Sequence, residues 1–84
     1  MSLDSSYIAK LEALIAYTEV LDTVSKASFS LEELAELWNI DVSRAKSIVK
    51  KLRREGFLKR TRRGRYKLTL VGQVLVKLYK RIRR

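Results

Sequence analysis

Two stretches of this sequence concentrate the side chains able to do chemistry, and both are cationic. SRAKSIVKKLRR, residues 43–54, holds six basic residues in twelve positions, and KRTRRGRYK, residues 59–67, holds six in nine around Gly64. Lysine offers a compact positive charge, and arginine a rigid fork of donors matched to phosphate oxygens, so groups of this type at this density bind anions. Other chemistries lack their residues. The chain has no histidine and no cysteine, which removes the commonest general base, the commonest zinc ligand and any thiolate. The acids fall at helix caps and exposed helix positions without a converging base or ligand cluster. The expectation is a protein that is not an enzyme and that uses no metal or cofactor.

The placement of charge sharpens this. Residues 1–43 carry eight acids and two bases, residues 44–67 carry twelve bases and Glu55 alone, and residues 68–84 carry five bases and no acid. The overall charge is +10, so the middle segment by itself exceeds the total. A solvated surface ordinarily mixes signs, and like charges packed this closely repel until a polyanion relieves them. Hydrophobic residues at 46% fit a globular chain, and 84 residues suffice for one domain with a modest core. No apolar run reaches the ~18 residues of a membrane span, and MSLDSSYIAK has no secretory pattern. No membrane partner is expected, and a cytoplasmic location is.

Helical periodicity dominates the elements that must carry these groups. Asp4 is a candidate cap, flanked by Leu3 and Ile8 at staple spacing, for a first helix over about 5–26. That helix has two apolar faces, one of Tyr7, Ile8, Leu11 and Ile15 and another of Leu14, Tyr17, Leu21 and Val24. Ser30 and Glu33 form a capping box for a second helix over 31–38, with Leu31, Leu34, Ala35 and Trp38 inward and Phe29 at staple spacing to Leu34. Ile40 is the apolar residue of the following turn. Asp41 caps a third helix over about 42–55, whose Ala45, Ile48, Val49 and Leu52 share a face before Gly56 stops it. The period then turns extended, and FLKRT and RYKLT flank Gly64 as a hairpin over about 57–68, with Tyr66 and Leu68 inward and Arg65 and Lys67 outward. Thr69 caps a closing helix over about 70–83, whose Val71, Leu75, Leu78 and Ile82 make a narrow apolar seam. The fold class is mainly α with a small β-hairpin: two short helices around a tight turn, the second strongly basic, then a hairpin and a last helix.

This order resembles the winged helix-turn-helix family, with extended N-terminal and C-terminal helices. The pattern I-D-x-S-x-A-x-x-x-V-x-x-L-x-x-x-G-x-L from Ile40 to Leu58 is similar to the recognition-helix signature of archaeal and bacterial winged-helix regulators. L-T-x-x-G from Leu68 to Gly72 resembles the segment where MarR-like regulators leave the wing for their dimerisation helix, and the likeness spans roughly residues 14 to 78. The resemblance implies a DNA-binding transcription regulator. It is specific for the fold and less so for function. MarR-like regulators are longer and usually house a ligand between their helices, and this chain leaves hardly any room for one.

Candidate contacts follow from the faces. With its apolar residues inward, the third helix presents Ser43, Arg44, Lys46, Ser47, Lys50 and Arg54, placed to reach base edges and nearby phosphates in a major groove. Lys51 and Arg53 lie on its flanks. On the wing, Arg60, Arg62, Arg63 and Arg65 have the reach for phosphates or a narrow minor groove. Two apolar surpluses, Tyr7, Ile8, Leu11 and Ile15 on the first helix and Val71, Leu75, Leu78 and Ile82 on the last, lack partners in a minimal domain. They predict a homodimer, unless the last helix folds back on the first within one chain. The partner expected is double-stranded DNA. Two further readings stand beside it: an RNA-binding or ribosomal winged helix, since NIDVSRAK looks like part of a small-subunit ribosomal protein of this fold, and a winged helix used for protein contacts.

Overall fold

The computed structural model describes residues 5–82, and the proposed cap Asp4 and its neighbour Leu3 lie outside them. Four helices and one two-stranded sheet follow in the order α1 (Ser5–Asp22), α2 (Leu31–Trp38), α3 (Val42–Arg54), β1 (Leu58–Arg60), β2 (Tyr66–Leu68) and α4 (Leu70–Ile82). Among the described residues no helix is long and apolar enough to cross a membrane, and no group of three or more potential ligands could hold a metal ion.

α1 stops four residues short of the expected Lys26. Thr23 turns its hydroxyl back to donate to the Val20 carbonyl at 2.7 Å, and the Val24 N–H reaches only Leu21, at 3.3 Å. Two β-branched residues and a serine in a row favour this tighter closure over another helical turn. The termini of α2 and α3 match their sequence signals. Ser30 and Glu33 make the reciprocal capping box, and Asp41 Oδ1 accepts from the Arg44 N–H at 2.7 Å. α2 ends on Asn39 in the left-handed region, φ 56°, with the Ile40 N–H closing onto Ala35 at 3.0 Å. This lets the chain reverse within two residues into the cap of α3.

The core forms where α1, α2 and α3 meet the hairpin. Phe29, Leu34, Ala45, Leu52 and Leu58 are essentially inaccessible, and Leu21, Val49, Phe57 and Trp38 close around them. Trp38 meets the Tyr17 ring edge-on at 5.3 Å and donates its indole N–H to the Tyr17 carbonyl at 3.1 Å, which fixes α2 against α1. The strands pair antiparallel, Leu58 opposite Leu68 and Arg60 opposite Tyr66. On the other edge of β2, Phe29 exchanges both backbone hydrogen bonds with Tyr66, at 2.7 and 2.8 Å, so a third short strand element borders the sheet. Phe29 therefore serves as more than the apolar staple of α2.

α4 folds back onto α1 within the same chain. The Thr69 hydroxyl donates to the Gly56 carbonyl at 2.6 Å and accepts the Gly72 N–H at 3.0 Å, capping α4 and tying it to the end of α3. Gly72 sits so close to Phe57 that an added Cβ would lie 2.7 Å from its carbonyl oxygen. This contact rotates α4 away from the expected seam. Gly72 and Val76 are buried, Leu75 and Tyr79 are half-buried, and the Tyr79 hydroxyl donates to Glu12 at 2.9 Å. Val71, Leu78 and Ile82 instead face outward at 60%, 48% and 82% exposure, joined there by Leu70 and Val74. The expected unpartnered set on α1 changes likewise. Ile15 is buried by its own chain and Leu11 is packed on the core, whereas Tyr7 and Ile8 remain exposed. Ile15, Leu11 and Leu75 therefore have partners within one chain, and α4 supplies what α1 lacked.

Candidate nucleic-acid interface

α3 has one apolar side and one cationic side. Ala45, Ile48, Val49 and Leu52 are buried, which leaves Ser43, Arg44, Lys46, Ser47, Lys50 and Arg54 exposed, with Lys51 and Arg53 beside them. Its C-terminus closes through left-handed Gly56, φ +83°, with the Gly56 N–H on Arg53 at 3.1 Å and the Phe57 N–H on Leu52 at 2.9 Å. The cations along the helix are not equivalent. Lys51, Arg53 and Arg54 lie in the last turn, where the helix dipole welcomes positive charge, so they have a local reason to be there. Arg44 and Lys46 sit nearer the opposite end, where the Asp41 carboxylate caps the helix, and have no such local reason.

β1 follows α3 after Phe57 and packs against it. The connection from Thr61 to Arg65 is closed by the Thr61 N–H on the Arg65 carbonyl at 2.7 Å and the Gly64 N–H on the Thr61 carbonyl at 3.1 Å. Gly64 takes φ +74°, a conformation that side chains disfavour. Arg60, Arg62 and Arg63 are exposed around this loop.

Arg65 differs from the outward orientation expected of it. Its Nε donates to Ser28 Oγ at 2.8 Å, and its Nη2 to the Ser28 carbonyl at 3.1 Å and to Glu33 Oε1 at 2.8 Å. Arg65 lies in the connection rather than in strand β2, so strand alternation does not govern it, and its guanidinium turns toward the body. Glu33 gathers three donors: Lys26, the Ser30 N–H and Arg65. The Lys26 ammonium first, then the Ser30 N–H and Arg65, hold the Glu33 carboxyl well below the ordinary range, at about 2. Sequence reasoning identified Glu33 only as half of a capping box. The local signal was complete without Ser28 and Arg65, which lie far apart in the chain.

The ion pairs among the described residues are Lys26–Glu33, Arg65–Glu33 and Lys80–Asp22. Of the twelve basic residues between 44 and 67, Arg65 alone takes part in one. The structure thus brings the candidates on α3 together on one helix face, leaves Arg60, Arg62 and Arg63 around the neighbouring loop, and withdraws Arg65.

Between α1 and α3 lies an open groove of about 570 Å³, with Leu11, Leu14 and Tyr17 on one side and Arg44, Lys51 and Arg54 on the other. The outer side of α4 carries a shallower, almost wholly apolar hollow of about 320 Å³, lined by Leu70, Val71, Val74, Leu75 and Leu78.

No protein-family model matches this chain, and neither a curated protein nor a solved structure does.

Proposed function

We propose that this chain is a winged-helix protein that binds duplex DNA as a homodimer and regulates transcription. The observation that carries the reading is the set of cations that α3 and the hairpin loop leave without acidic partners. Arg44, Lys46 and Lys50, which lie outside the last turn and so gain nothing from the helix dipole there, are the most telling members. In this reading α3 enters the major groove. Ser43, Arg44, Lys46, Ser47 and Lys50 supply base-edge and nearby phosphate contacts, and Arg54 reaches the backbone. Arg60, Arg62 and Arg63 of the wing grip phosphates or the adjoining minor groove and supply affinity more than choice.

The homodimer rests on a separate observation. Leu70, Val71, Val74, Leu78 and Ile82 form an exposed apolar stripe along α4, and Tyr7 and Ile8 are exposed on α1. A stripe of this kind is rarely left in water, and a second copy would cover it symmetrically. Two recognition helices about one DNA turn apart would then read a palindrome. Selection from a random duplex library, with structured RNA as competitor, tests the function. Enrichment of a two-fold symmetric duplex sequence supports it. Preferential retention on the RNA, or no enrichment at all, overturns it.

A further inference from the structure

Glu33 stands on α2, off the cationic face, yet it holds the hairpin through one residue. Glu33 Oε1 accepts from Arg65 Nη2 at 2.8 Å, while Arg65 also grips the hydroxyl and the carbonyl of Ser28. The same joint includes both backbone hydrogen bonds between Phe29 and Tyr66. β1 and β2 are three residues each, too short to hold an orientation in water by themselves. Their pose depends on what anchors them. Arg65 is the natural anchor point, because it is the last residue of the loop that carries Arg62 and Arg63.

We infer that Glu33 is a positioning residue for nucleic-acid binding: through Arg65 and Ser28 it sets the pose in which the hairpin presents Arg60, Arg62 and Arg63. This rests on the DNA-binding reading above. It makes a prediction opposite in sign to simple electrostatics. Neutralising an acid on a cationic protein strengthens its attraction to a polyanion. Loosening the hairpin weakens binding instead, because the arginines no longer meet the phosphates together. Glu33→Gln sets these two effects against each other without disturbing α2, since glutamine also completes a capping box.

The test compares wild type, Glu33→Gln, Arg65→Gln and the double variant, in duplex affinity across a salt series and in amide exchange at Phe29 and Tyr66. Glu33→Gln is expected to bind about three- to tenfold more weakly, with a log–log salt slope flatter by about one for each engaged hairpin. Arg65→Gln should lose a similar factor, and the double variant should bind no more weakly than Arg65→Gln, because both changes break one contact. The Phe29 and Tyr66 amides should exchange faster in all three variants. Equal or tighter binding by Glu33→Gln overturns the proposal. So do additive losses in the double variant, which would make Arg65 a direct contact. If wild type binds no duplex, the functional reading fails on its own. The exchange data then decide the brace: faster exchange in Glu33→Gln supports it, and unchanged exchange overturns it.

Discussion

α3 and α4 are both thirteen residues long, and they spend their outer faces differently. α3 buries Ala45, Ile48, Val49 and Leu52 and turns cations outward, with Val42 at its first position as its one large exposed hydrophobe. α4 buries Gly72 and Val76 against its own chain and still shows Leu70, Val71, Val74, Leu78 and Ile82 outside. The first surface suits a charged partner, the second an apolar one. Two helices of one length thus differ in what folding leaves exposed on each.

Reversing charge on α3 should have the largest effect. Lys50→Glu with Arg54→Glu is expected to reduce duplex affinity by more than about a thousandfold near physiological salt, because the proposed dimer would lose four favourable contacts and gain four repulsive ones. Assembly should not change, which sedimentation checks. If the variant also falls apart into monomers, the two faces are not separate.

The inner faces come next. Leu52 of α3 is fully buried, so Leu52→Ala should lower unfolding free energy by about 2–5 kcal/mol. Val71→Ala on the outer side of α4 should change the stability of an isolated chain by less than about 0.5 kcal/mol. Urea denaturation at several protein concentrations measures both. A large, concentration-independent loss for Val71→Ala would mean that this stripe packs within one chain.

On α4, Val74→Glu with Leu78→Glu should give a folded monomer whose duplex affinity falls by roughly ten- to a hundredfold, since one half-site then binds without its twin. A wild-type protein that sediments as a monomer at micromolar concentration would remove the homodimer and leave the α4 stripe for another partner.

The contrast between the helices was only half visible in the sequence. α3 was legible in full because its signals are local: Asp41 caps it, Gly56 stops it, and Ala45, Ile48, Val49 and Leu52 recur at helical spacing. α4 is apolar on too many sides for spacing to choose a face. Val71, Leu75, Leu78 and Ile82 make as good a seam as Gly72, Leu75, Val76 and Tyr79. What decides is tertiary, the approach of Gly72 to the Phe57 backbone and the reach of Tyr79 to Glu12. Arg65 turns inward for a tertiary reason too. Its environment is made by Ser28 and Glu33, and nothing within RRGRYK announces them.

The smallest expected effect is on acid stability. Because the folded protein holds the Glu33 carboxyl down at about 2, its contribution is complete above the ordinary carboxylate value of 4.5 and is lost as pH falls toward 2. Wild type should therefore be more stable than Glu33→Gln at pH 6, and the gap should narrow steadily between about pH 4.5 and 2. Urea midpoints of the two proteins, compared pH by pH, cancel the other carboxylates. A gap that stays constant would mean that the charge on Glu33 contributes nothing.

The most direct test of the central claim, that the unpaired cations of α3 and the hairpin loop meet a nucleic-acid backbone, is the salt dependence of duplex binding. If about five to eight phosphates are neutralised per dimer, the plot of log affinity against log salt should have a slope of roughly −4 to −7. Arg62→Ala with Arg63→Ala should flatten it by about two for each hairpin engaged. An affinity that barely moves between low and physiological salt would contradict the account.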